Sequence, residues 1–271
     1  MNQTAAVSSK KTFGLLVLNT ITFFGMLFLN FAAGTGKIGG NSIGEVSDQY
    51  NTLISPSGYA FSIWGLIYLM LFGFVAYQWY GYFKHRNLES LEKGSIWFSV
   101  SNIANGSWIV AWANIELGLS VMIMAVLLFS LIQLVLKLKL EIWDAPLRII
   151  FFVWWPICIY IGWVILASVL NVAVWLKSLN ALDEVISPEF WAVLMISIAT
   201  MVYLFLIQKR NMREAALVGV WGLLAISHQQ WDANQTVVWA ALVASGILLL
   251  SSGIHAAKNY KTLPFLNLKG N

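Results

Sequence analysis

WVILASVLNVAVW, Trp163 to Trp175, reads as the second half of a membrane-spanning helix, yet it carries two tryptophans and Asn171. Trp163, Ala167, Asn171 and Trp175 recur four residues apart. On a helix they form one stripe that drifts by about 40° per step, because 3.6 residues per turn do not divide four evenly. A helix that only contacts lipid needs no such stripe, and a side-chain amide in hydrocarbon is costly unless it is paired. The stripe therefore points into a bundle, and what it faces depends on the helices around it.

The chain supplies those helices. Of its 271 residues, 59% are hydrophobic and only 10% charged, against about a quarter charged in soluble domains. Mean hydropathy is +0.74. The composition is that of an integral membrane protein whose first partner is the lipid bilayer. The net charge of +4 is small and the basic residues flank hydrophobic segments, which argues against a nucleic-acid partner. The single cysteine, Cys158, excludes an internal disulfide and a multi-cysteine metal site.

Apolar runs long enough to cross a bilayer, about 17–25 residues each, fall near 13–33, 57–82, 95–115, 118–138, 148–176, 189–208, 214–230 and 235–256. The first follows Lys10 and Lys11 but is long for a signal sequence and lacks a good cleavage site, so a retained helix is expected. The fold class expected is an all-α integral membrane protein of eight spans: a five-helix bundle over 1–180 and a three-helix extension over 181–271. Of sixteen Lys and Arg, fourteen fall on one side of this arrangement and two, Lys37 and Lys177, on the other. The positive-inside rule then puts both termini in the cytoplasm, in the cell (inner) membrane. The first outer connection, GTGKIGGNSIGEVSDQYNTLISPSG, holds six glycines. A connection of that length is a functional lid or a flexible connector.

Two other spans carry stripes at the depth of the first. Trp64 and Tyr68 share a face of the second span, and Asn105, Trp108 and Trp112 share a face of the third. Each stripe alone is explained by packing and interhelical hydrogen bonds. Three together under one long connection have the makings of a site for a flat, apolar small molecule. The candidate ligand-binding residues are Trp64, Tyr68, Asn105, Trp108, Trp112, Trp163, Ala167, Asn171 and Trp175.

YIGWVILASVLNVAVWLKSLN, Tyr160 to Asn180, resembles the fifth helix of the TspO/MBR family, the tryptophan-rich sensory proteins related to the translocator protein. Tyr160, Trp163, Ala167, Leu170, Asn171 and Trp175 match its pattern in register. SPSGYAFSIWGLIY resembles the family's second helix through Pro56, Ile63, Trp64, Ile67 and Tyr68. NGSWIVAW, Asn105 to Trp112, resembles its third. Departures are Pro56 where the family pairs prolines, Phe61 one residue off its aromatic position, Val172 in place of a tyrosine, Leu176-Lys177 in place of an arginine, and a first connection without tryptophan. The resemblance covers residues 10–180. It implies a five-helix bundle whose pocket opens toward the first connection and takes porphyrins, other tetrapyrroles or lipid-like molecules. No cofactor is required on this reading, porphyrin being a ligand. Two copies of the chain forming a homodimer are a further candidate assembly.

Other chemistry is sparse. Glu116 and Asp232 lie in turns, and no carboxylate sits at mid-membrane depth, which disfavours a proton-coupled transporter. His85, His228 and His255 fall on different segments and do not converge on a metal in this arrangement. A porphyrin- or lipid-oxidising enzyme and a non-catalytic scaffold stand as alternatives to a ligand-binding protein.

Overall fold

The computed structural model describes residues 2–86, 88–180 and 187–259, with side chains from Lys10 onward. The domain boundary expected at 180/181 abuts residues 181–186, which lie outside the described residues, as do Lys261 and Lys269 of the charge count.

Helices and their connections make up the described chain. They are α1 (Asn2–Gly34), α2 (Ile43–Gln49), α3 (Ile63–Lys84), α4 (Glu89–Ala113), α5 (Leu117–Lys137), α6 (Leu147–Ile149), α7 (Trp155–Ser178), α8 (Pro188–Arg210), α9 (Arg213–Gln230) and α10 (Gln235–Lys258). A 3-10 turn, Gly58–Ser62, leads into α3. A π-helical turn, Ile150–Trp154, joins α6 to α7. Pro156 accounts for that turn. It has no N–H for the carbonyl four residues back and its ring crowds that carbonyl, so the ladder shifts by one and Trp155 N–H bonds Ile150 O.

Among the described residues, six segments are long and apolar enough to cross a membrane: α1, α3 with its 3-10 lead, α5, α6–α7, α8 and α10. The chain is thus a polytopic helical membrane protein. α4 and α9 differ from the eight apolar spans expected: neither is among the six. Their polarity has a structural reason. Buried amides and hydroxyls of α4 pair with α1: Ser99 Oγ donates to Asn19 Oδ1 at 2.9 Å, Asn30 Nδ2 to Asn105 Oδ1 at 2.8 Å, and Asn102 Nδ2 to Thr22 Oγ1 at 3.3 Å. Asn19 also donates to Gln78 Oε1 of α3 at 2.9 Å. Such groups are tolerated away from water because each meets a partner.

α9 is less apolar because small residues replace large aliphatic ones and Arg213, Glu214, His228, Gln229 and Gln230 stand at its ends. Ala215, Ala216, Gly219, Gly222 and Ala225 let it lie close to its neighbours. A methyl group on Gly162 of α7 would stand 2.7 Å from Ala215 O, and one on Gly222 would overlap Leu166. Tyr203 of α8 crosses the same seam and donates its hydroxyl to Gly162 O at 2.7 Å.

α7 is the central post. In its most apolar window 78% of residues are buried, against 28–39% in the other five candidate spans. It packs on α3 and α5 on one side and on α8 and α9 on the other. The five-helix part and the C-terminal helices therefore share one helix and one contiguous core.

The first long connection is folded and forms an ordered cap. Ser42 and Glu45 form a capping box that starts α2. Gly39, at φ +70°, lies so close to Ala113 that a side chain would strike the backbone there. Asn41 Nδ2 donates to Ala113 O at 3.0 Å.

Candidate functional site

The aromatic stripes meet at the end of the bundle opposite the N-terminus, beneath the cap. Trp64 stacks on Tyr68 with centroids 5.5 Å apart, and Trp108 on Trp112 at 5.6 Å. The Trp64 ring lies 6.3 Å from Trp108 and meets Trp163 edge-on at 6.4 Å. Phe61 also meets Trp163 edge-on, at 6.1 Å. These are the offset and T-shaped arrangements that aromatic quadrupoles favour.

Six of the nine candidate residues line one cavity inside this cluster: Trp64, Trp108, Trp112, Trp163, Ala167 and Asn171. Tyr68, Asn105 and Trp175 are not on its wall. Tyr68 lies one turn beyond Trp64, stacked on its ring. Asn105 turns toward α1, where its oxygen accepts from Asn30. Trp175 packs against Gly118 of α5. The drift of the four-residue stripe explains this last placement. Twelve residues after Trp163, at about 100° per residue, Trp175 has rotated about 120° off the shared face.

Several wall residues carry no polar or aromatic signal in the sequence. Met195 and Ile196 of α8 and Ile226 of α9 close one side, so the site is not confined to the second, third and fifth spans. Ile43, Ile54 and Pro56 of the cap close the top. An isoleucine that lines a cavity and one that faces lipid look alike in a hydrophobic run. The displaced aromatic Phe61 was the one available hint.

The polar atoms of the cavity fall into two kinds. The Asn171 amide is in use: Oδ1 accepts from Trp108 Nε1 at 2.8 Å, and Nδ2 donates to Ser120 Oγ at 2.8 Å. Trp112 Nε1 donates to Ile43 O of the cap at 3.2 Å. Trp163 is 2% exposed and its Nε1 has no partner among the described residues. A buried N–H without an acceptor is costly.

The cavity is nearly closed, at about 30 Å³, room for about two water-sized probes. A second cavity of about 380 Å³ adjoins it, and Ile54 lines both. On the cap, the Ser42 backbone N–H and hydroxyl hold the Glu45 carboxyl below the usual carboxylate range. One histidine is built into this region. His228 Nδ1 shares a hydrogen bond with Ser57 Oγ at 2.9 Å, and Ser57 N–H donates to Ala225 O at 3.1 Å, tying the cap to α9.

No curated protein and no solved structure matches the chain. A family model described as TSPO-like protein matches residues 16–254, from within α1 to near the end of α10, so the match takes in the C-terminal helices as well as the five-helix part. The stripe on α7, the helices that answer it and this match agree: the chain belongs to the TSPO-like protein family.

Proposed function

We propose that this protein binds a flat apolar ligand, a porphyrin, another tetrapyrrole or a lipid-like molecule, in the aromatic cavity between α3, α4 and α7. In this reading the chain crosses the cell membrane eight times, with both termini in the cytoplasm. α4 and α9 cross as inner helices, α4 pairing amides and hydroxyls with α1 and α9 packing through small residues. The observation that carries the ligand assignment is the unpartnered N–H of Trp163 inside a wall of four tryptophans. Aromatic faces suit a planar ring system, and a few polar atoms set its orientation.

A ligand pocket occupies about 300–1,000 Å³, so the closed cavity opens to admit its occupant. The cap is the movable wall. It meets the cavity through Ile43, Ile54 and Pro56, apolar contacts that re-form on the apolar face of a ligand. Ala167 keeps the α7 wall low enough for a ring to lie against it.

Protoporphyrin titrated into the purified protein is expected to quench tryptophan fluorescence saturably. Trp163→Ala removes a wall and Ala167→Leu fills the space, and each is expected to weaken binding about tenfold or more. Unchanged affinity in both variants would remove the assignment.

A further inference from the structure

The larger cavity has walls of its own. It lies where α7 ends at Ser178, α8 begins at Pro188 and α9 ends at Gln230, with cap residues 51–54 as its fourth side. Its volume of about 380 Å³ is within the range of small-molecule sites. Leu53, Ile54, Leu176, Trp191 and Ala192 give it a largely apolar wall, with Asn51, Thr52, Lys177 and Gln230 as its polar groups, Lys177 being engaged with a partner of its own. Five of its twelve wall residues come from α8, α9 and the turn after α9, so a five-helix bundle alone could not form it.

One group in it stands out. Gln230 is 4% exposed, yet among the described residues its side-chain amide makes no hydrogen bond. Its backbone carbonyl is taken by Ala233 N–H and Asn234 N–H at 2.9 Å each. A primary amide offers two donors and an acceptor, and here they are left to the cavity that Gln230 lines. An amide at the wall of an apolar cavity, at the level where helices end, suits one chemistry: an uncharged apolar molecule tipped with a single hydroxyl or carbonyl.

We infer that this cavity is a second ligand site, separate from the aromatic one, that takes an uncharged amphiphile whose hydroxyl or carbonyl pairs with the Gln230 amide. The apolar body lies along Leu176, Trp191 and Ala192 toward Ile54. The inference does not rest on what occupies the aromatic cavity.

The test is photolabelling of the full chain in nanodiscs with a decanol that carries an alkyl diazirine, with adducts mapped by mass spectrometry. Adducts are expected within 173–177 and 188–192, displaced by excess unlabelled decanol. Gln230→Leu keeps the shape and removes the amide, and is expected to lower affinity about tenfold at an unchanged melting temperature. Ala233→Trp, at an exposed turn position, fills the space and is expected to abolish labelling there. Trp163→Ala is expected to leave it intact while weakening protoporphyrin binding, which separates failure of this site from failure of the other. The inference is overturned if labelling of these segments is the same in Gln230→Leu, if it survives Ala233→Trp, or if the matching decanoic acid probe labels them more strongly than the alcohol.

Discussion

The indole N–H of Trp108 donates to the side-chain oxygen of Asn171 at 2.8 Å, inside the bundle and away from water. Asn171 then donates to Ser120, so one buried amide ties α4, α7 and α5 together. The stripe residue with the strongest reason to face inward is thus a structural clamp as well as part of a cavity wall.

Breaking the clamp is expected to loosen the bundle. Asn171→Leu leaves Trp108 N–H without an acceptor and should cost about 1–3 kcal/mol, read as a lower unfolding midpoint in detergent. Trp108→Phe combined with Asn171→Leu should cost less than the two single changes summed, because the orphaned N–H is gone. Strict additivity would show that the two side chains do not act as a pair.

Ile54 lines both cavities. Ile54→Ala opens a passage between them and is expected to speed protoporphyrin entry in stopped-flow quenching, at a stability cost of about 2–4 kcal/mol for the lost buried side chain. An entry rate equal to that of the unaltered protein would assign the barrier to another wall.

The α7–α9 seam depends on missing side chains. Gly162→Ala sets a methyl 2.7 Å from the Ala215 carbonyl oxygen and is expected to destabilise by about 1–3 kcal/mol through overpacking. Gly25→Ala in α1 meets nothing within 4 Å and is expected to stabilise by about 0.5–1 kcal/mol, as the helix loses a flexible residue. Thermal unfolding of the two variants should therefore shift in opposite directions.

Glu141, in the connection after α5, is pushed from the ordinary 4.5 up to about 8 by burial and by the nearby Glu214 carboxylate, with Arg213 opposing. Below pH 4.5 the folded and unfolded chains both hold its proton. Between 4.5 and 8 the unfolded chain releases the proton that the fold retains, so stability falls as pH rises through this window. The expected loss is on the order of a few kcal/mol. In Glu141→Gln this part of the pH dependence should vanish, and melting curves from pH 4 to 9 measure it. A slope that persists unchanged would assign it to other groups.

Much of this architecture was legible beforehand because it follows from local rules. Runs of apolar residues set the helices, since in lipid a backbone must bond within itself. Asn105 and Asn171 had to turn inward, because hydrocarbon offers an amide no partner. The Trp163–Ala167–Asn171 part of the stripe shares one wall, since its rotation over eight residues is only about 80°.

Partner choice was not legible. The stripe alone did not say that Asn105 answers α1 while Asn171 answers α4 and α5, nor that Trp175 leaves the shared face. Nothing in Met195, Ile196 or Ile226 marked them as cavity walls, because an apolar side chain fits lipid and protein equally well. The order of the glycine-rich connection was hidden too, since Gly39 gains its meaning only against Ala113. The sequence by itself determined a helical membrane protein of the TSPO-like family with aromatic stripes on three helices. Only the tertiary structure decided which faces meet, because tight packing of Gly162 on Ala215 and of Leu166 on Gly222 sets how far the C-terminal helices reach into the site.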